Sequence, residues 1–178
     1  MPVPTKPELL LRTTIYQSKW VNLFVDKVKF PNGCIIEQHH LLDFEREAVM
    51  AVACDHNQQY AMVKVCRYPT QRAEWEFPAG SIEFGEDIIG AAKREILEET
   101  GLSSSNHEVL YSYNPMNGIA NQVFHVVRCQ AGEIMCEFDQ NEITAVGWFS
   151  EQEVWQMIRD REIKDGYSLT AFFLHKHL

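Results

Sequence analysis

Residues 87–101, DIIGAAKREILEETG, carry the one strong helical pattern in the first 150 residues, and runs of strand character lie on both sides of it. Gly101 suits the C-terminal cap of that helix. Upstream, WVNLFVDKVKF (20–30) and CIIEQHHLLD (34–43) read as two strands joined by a turn at Pro31-Asn32-Gly33. REAVMAVACD (46–55) and QYAMVKVCRY (59–68) read as a second hairpin, rich in β-branched and apolar residues. Downstream, strands are expected near 108–113, 121–129 and 143–149. A helix over about 151–160 has Ser150 and Glu153 spaced as a capping box, and Ser168 is placed to open a last helix. Strands interrupted by one helix and closed by others predict an α/β (α+β) layered fold.

The chain has 178 residues, of which 46% are hydrophobic. That is enough for one domain with a small appendage. The expected division is an N-terminal arm and hairpin over residues 1–43, the arm being 1–11, and a main domain over 44–178.

The helix opposes its own stability. An α-helix turns about 100° per residue, so Glu98 and Glu99 fall near −60° and +40° from Glu95, within an arc of roughly 100°. Ile88, Ile89, Ala92 and Ile96 fill the adjoining arc, which puts the carboxylates at the edge of the core face. Glu95 and Glu99 repel at i,i+4 by about 0.2–0.5 kcal/mol. All three sit late in the helix, where the macrodipole disfavours negative charge. A solvated charged face is the plain alternative. Bound cations would offset the repulsion, and clustered carboxylates suit Mg²⁺, Mn²⁺ or Ca²⁺ better than zinc. Pro78-Ala79-Gly80 precedes the helix, and Gly80 permits unusual backbone angles and close approach of a ligand. The local expectation is a divalent-metal site for a phosphorylated substrate, because Mg²⁺ completes its shell with water and phosphate oxygens.

Charge and cysteines narrow the class. Net charge is −9 with a pI near 5.2, so no basic footprint for nucleic acid exists. No apolar run approaches the roughly 20 residues that span a bilayer. Five cysteines without a CxxC pair argue against a disulfide framework or thiolate zinc site. A soluble, cytoplasmic protein with no nucleic-acid or membrane partner is expected.

Gly80, then five residues, Glu86, seven more, Arg94-Glu95-Ile96, one, Glu98-Glu99, one, and Gly101-Leu102 fill every defining position of a 23-residue motif. This resembles the box of the Nudix family. The resemblance implies an α/β/α sandwich with a mixed sheet and an N-terminal antiparallel hairpin extension. It also implies hydrolysis of nucleoside diphosphates linked to another group, with Mg²⁺ or Mn²⁺ as cofactor. In the family the box glutamates, here Glu95, Glu98 and Glu99, bind metal. The arginine, here Arg94, orients them, while Gly80, Glu86 and Gly101 shape the motif.

RYPTQRAEWEFPAGSIEFGE (67–86) is similar to the branch that cleaves ADP-ribose and related nucleoside diphosphate sugars. That similarity implies a metal-binding carbonyl at Ala79, a phosphate contact at Arg67 with Arg72 as a second candidate, and Glu76 at the substrate. It further implies a homodimer in which the N-terminal sheet reaches the partner's active site. Trp20 is a candidate for stacking on the base, against a packing role. The general base is sought among Glu137, Asp139 and Glu142. Glu142 is favoured, since Asn141-Glu142-Ile143 before a strand resembles the family pattern. A role for Glu98 in catalysis goes with its place in the box. Two other readings stand beside this one. The first is a catalytically silent, nucleotide-sugar-sensing domain of the family. The second is a family enzyme for dinucleoside polyphosphates or nucleoside triphosphates.

Overall fold

A computed structural model describes residues 6–178 and falls into two compact units. One unit comprises the chain up to Glu47 together with Asn114–Val123. Residues 1–5 of the expected arm lie outside the described part. The rest of that arm is not an arm. Strand β1 (Glu8–Tyr16) pairs antiparallel with β2 (Asn22–Lys29), which pairs with β3 (Ile35–Asp43). The N-terminal sheet therefore has three strands where the sequence suggested two. β1 is exposed at every position, so it lacks the alternation that would mark it. Its register is pinned by Arg12, whose guanidinium pairs with the buried Asp26 at 2.8 Å and lies over the Phe24 ring. Segment 114–123 docks on this sheet: the Leu42 amide donates to the Ile119 carbonyl at 2.7 Å and the Phe44 amide to Asn121 Oδ1 at 2.7 Å.

The second unit comprises Ala48–Tyr113 and Phe124–Leu178. Its sheet has seven strands: β4 (Ala48–Cys54), β5 (Tyr60–Arg67), β6 (Arg72–Glu76), β7 (Ala79–Ser81), β8 (Leu102–Tyr113), β9 (Phe124–Ile134) and β10 (Ile143–Phe149). The main path runs β10-β5-β4-β9-β8, with β6 added to β5 and β7 to β4. The β4–β9 pair is parallel, which makes the sheet mixed. The expected β4–β5 hairpin pairs only at Cys54 and Tyr60. Beyond that point Ala48–Met50 turns its edge to β7, and the Ala51 amide donates to the Pro78 carbonyl at 2.9 Å. This splay admits the turn that faces the glutamates.

β4 is buried on both sides, as a central strand must be. Val49, Ala51 and Ala53 pack with Ala91, Ala92 and Ile96 of helix α1 (Ile88–Thr100). Met50 and Val52 face the opposite layer, where Val154 and Met157 of α2 (Glu151–Arg159) meet Ala171 and Phe172 of α3 (Gly166–His177). Each fully buried side chain of this size contributes about 1.5–3 kcal/mol. The result is helix, sheet, helices. Asp87 caps α1 by accepting from the Gly90 amide at 2.6 Å, and Ser150 and Glu153 form the capping box of α2. The last helix starts earlier than Ser168. Asp165 is its cap and accepts from the Ser168 amide at 2.7 Å, while the buried Ser168 hydroxyl accepts from the Phe77 amide at 3.0 Å. Among the described residues no helix is long and apolar enough to cross a membrane, and the five cysteines are unpaired.

Candidate active site

Helix α1 presents Glu95 and Glu99 toward the β6–β7 turn. Glu95 is buried, Glu99 half-buried and Glu98 exposed. The sheet-facing arc of α1 includes Ala91 as well as Ala92, so Glu95 lies inside that arc and not at its edge. Small residues make the room. A Cβ at Gly80 would overlap the Glu95 carboxylate, so only glycine lets strand β7 pass this closely. The Ala79 amide donates to Glu99 Oε2 at 3.0 Å.

Arg94 ties the cluster together. Its Nη1 meets Glu95 at 2.7 Å and Glu98 at 3.1 Å, while Nε and Nη2 grip Glu86 at 3.1 and 3.0 Å. Nη2 also donates to the Ser81 carbonyl at 2.8 Å. Glu86 in turn accepts from the Glu83 amide at 3.1 Å, which shapes the loop into α1. The Arg94 guanidinium holds Glu86 below the usual carboxylate range, and Glu86 chiefly keeps Arg94 charged. Burial pushes Glu95 up against the pull of Arg94. Burial pushes Glu99 up to about 8, opposed by the Ala79 amide, with Glu95 adding like charge.

Among the described residues no three His, Cys, Asp or Glu side chains converge as a preformed metal cage. Arg94 supplies positive charge to Glu95 and Glu98 in this arrangement. The donor set nevertheless fits a hard divalent cation. It consists of three carboxylates, one of them desolvated with a single amide donor, beside a glycine cradle, and it holds no thiol or imidazole.

Arg67 and Glu76 form a second group. Arg67 Nη2 lies 2.7 Å from Glu76 Oε2, and its Nε is shared between both carboxylate oxygens at 3.2 Å. The Glu76 side chain is 5% exposed and that of Arg67 45%, so the carboxylate anchors and the guanidinium reaches outward. Glu76 is the main group holding Arg67 charged, and Glu99 adds to that effect. The pairing itself was not legible in the sequence, because the two residues meet across the β5–β6 hairpin. Arg72 is the cross-strand partner of Arg67 and lines a cavity with Lys64 and Trp75. Trp20 belongs to the N-terminal unit, is exposed, and has the Lys19 ammonium 4.8 Å above its ring.

The segment after β9 is fastened to the end of α1. The Met135 amide donates to the Gly101 carbonyl and the Asp139 amide to the Glu98 carbonyl, each at 2.8 Å. These bonds satisfy carbonyls that a helix end leaves open. Asp139 turns its carboxylate onto Asn141, accepting from its amide at 2.9 Å and its side chain at 2.7 Å. Glu137 lines an apolar cavity with Thr100, Phe138 and Trp148. Glu142 is exposed. Main-chain amides do the fastening, so no side-chain signal announces it.

Residues 45–171 match the NUDIX domain family model. The chain belongs to the Nudix family. It is a Nudix hydrolase whose similarity to known proteins runs toward the ADP-ribose pyrophosphatases. It is 27% identical to an ADP-ribose pyrophosphatase of Bacillus subtilis over 165 residues, covering 91% of this chain and 88% of the relative. It is 30% identical to a methanol dehydrogenase activator of Bacillus methanolicus over 162 residues, covering 88% and 85%. In fold it matches the crystal structure of an ADP compounds hydrolase with a TM-score of 0.85 at 22% identity, covering 97% and 93% of the two chains.

Proposed function

We propose that this chain is a divalent-metal-dependent pyrophosphatase that hydrolyses ADP-ribose or a related nucleoside diphosphate sugar to a nucleoside monophosphate and a sugar phosphate. The observation that carries this reading is the placement of Glu95 and Glu99 against the Pro78–Gly80 turn, with Glu98 joined to Glu95 through Arg94 and the anchored Arg67 within electrostatic reach of Glu99. Similarity to ADP-ribose pyrophosphatases over nine-tenths of the chain supports the substrate class.

In this reading Glu95, Glu98, Glu99 and the Ala79 carbonyl hold Mg²⁺ or Mn²⁺. A divalent ion held there would supply Lewis acidity toward phosphoryl oxygens and would lower the pKa of the attacking water. Arg67 binds the bridging phosphates and holds them for in-line attack. Water adds to one phosphorus, the anhydride oxygen leaves with the other phosphate, and the water proton passes to Glu142. Of the three candidate bases, Asp139 is committed to its own turn and Glu137 to an apolar cavity, which supports Glu142. Trp20 as a stacking platform, a homodimer and a cytoplasmic setting belong to the same reading. The unpaired thiols agree with a reducing compartment.

The test is a hydrolysis panel with Mg²⁺ and Mn²⁺, covering ADP-ribose, ADP-glucose, GDP-mannose, UDP-glucose, diadenosine polyphosphates and nucleoside triphosphates. Turnover of a nucleoside diphosphate sugar is expected, to be abolished by chelation and cut at least about 100-fold in Glu98→Gln and Glu99→Gln. Wild-type turnover in either variant, or turnover of nucleoside triphosphates alone, overturns the reading.

A further inference from the structure

On the opposite side of the sheet from α1, the second unit has an open cavity of about 390 Å³ at the β5–β6 edge. Lys64, Arg72, Arg161 and Lys164 line it, with Trp75 in its wall. Glu74 and Glu162 are the acids there, and Lys164 meets Glu74 only at 3.8 Å. Four cations against two anions stand in one concavity of a chain whose net charge is −9. Arg72 and Arg161 have no ion-pair partner among the described residues. Lys64 has its ammonium 5.7 Å from the centre of the Trp75 ring, which steadies it toward the cavity. Like charges gathered in a concave surface repel each other and focus a positive potential on its mouth.

The backbone at Arg161 is a second, independent observation. Helix α2 ends in a Schellman turn: the Arg161 amide donates to the Ile158 carbonyl at 3.2 Å and the Glu162 amide to the Met157 carbonyl at 2.8 Å. The residue between cap and exit in that turn is left-handed, a position where glycine is usual. Here it is Arg161, at φ 62°. A long cationic side chain thus stands where its backbone conformation is disfavoured, and it lines the cavity.

We propose that Lys64, Arg72, Arg161 and Lys164 form an anion site that takes a small phosphorylated or pyrophosphorylated molecule, separate from the glutamate site on α1. Two guanidinia offer forked donors matched to phosphate oxygens, and two ammonium groups add point charges. The chain's net charge of −9 disfavours a long polyanion, so a small ligand suits the site better than a nucleic acid. This site stands independently of the hydrolysis proposed above.

The experiment is calorimetric titration of the full chain with inorganic pyrophosphate in EDTA at fixed ionic strength, with chloride and sulfate as comparison anions. Chelation removes any divalent cation that could bridge the probe to the glutamates. Saturable binding is expected. Arg161→Gly and Lys164→Ala should each weaken it about tenfold or more, while Arg67→Ala leaves it unchanged. Arg161→Gly should melt at or above the wild-type temperature, because glycine relieves the left-handed backbone. That variant separates loss of a ligand contact from loss of fold. The absence of binding in the wild type, unchanged binding in the Arg161→Gly/Lys164→Ala double variant, or loss confined to Arg67→Ala would each overturn the site.

Discussion

The Glu76 carboxylate takes both Nε and Nη2 of Arg67 while remaining almost wholly buried, so it fixes the direction in which the exposed side of that guanidinium points. A half-exposed arginine on a flexible stem would otherwise spend most of its time in other rotamers. Glu76 thus positions Arg67 in the proposed reaction. Glu76→Gln keeps the shape but loses the charge-assisted pair. We expect a stability loss of about 1–3 kcal/mol, read from denaturant unfolding, and a rise in KM for the nucleoside diphosphate sugar. The direct loss in Arg67→Ala should not deepen when Glu76→Gln is added. Additive effects on kcat/KM would separate the two roles.

Gly80 and Glu95 compete for one space. A methyl group at position 80 meets the Glu95 carboxylate, which is pinned on its other side by Arg94 at 2.7 Å. Gly80→Ala should destabilise the fold by about 1–3 kcal/mol through overpacking and displace Glu95 from its place. Combining it with Glu95→Asp, which shortens the side chain by one methylene, should recover part of the melting temperature but not the activity. Recovery of neither would place the strain elsewhere in β7.

These two pairs show what a sequence can and cannot announce. The gathering of the three glutamates on one arc was legible because a helix has a fixed period and because Gly101 marks its end at φ 73°, whereas the burial of Glu95 inside the sheet-facing arc was not. Strand β10 was legible over 143–149 because its apolar and aromatic residues stand between polar turns. β1 was not, since a strand with no buried face leaves no alternation. β7 has three residues, and its existence depends on the free edge of β4. In the site, residue types and spacings pointed to carboxylates and an arginine. The Arg67–Glu76 pair depends on how β5 and β6 lie together. The fastening of the 135–139 segment is made by main-chain amides, which every residue but proline possesses.

His175 makes the fold sensitive to acid. Its ring packs edge-on to Tyr60, its Nδ1 is buried without a partner, and its Nε2 lies 4.0 Å from Cys54 Sγ. Burial, with Lys176 adding like charge, lowers its pKa, so the folded protein keeps the imidazole neutral. In the unfolded chain the ring takes up a proton near about pH 6.5. Below that pH the unfolded state binds more protons than the folded one, and stability falls as pH falls. Above it the contribution is complete. Melting temperature should therefore decline from pH 7 to pH 5 more steeply in the wild type than in His175→Phe. Parallel pH profiles would assign the acid sensitivity to other groups.

Gly101 links the helix end to the segment that carries the candidate base. Its left-handed backbone closes α1, its carbonyl accepts from the Met135 amide, and a Cβ there would overlap the Cys136 carbonyl. Gly101→Ala should cost about 1–2 kcal/mol from the backbone conformation alone and should loosen residues 135–142. Glu142→Gln removes the proposed base without touching this anchor. The two variants predict different signatures. Glu142→Gln should lower kcat with little change in KM or melting temperature, because it removes an interaction made as the water proton departs. Gly101→Ala should lower melting temperature and kcat together and speed amide exchange at Met135 and Asp139. A Glu142→Gln enzyme with wild-type kcat would move the base off this residue, and unaltered exchange in Gly101→Ala would show that the segment is held by other contacts.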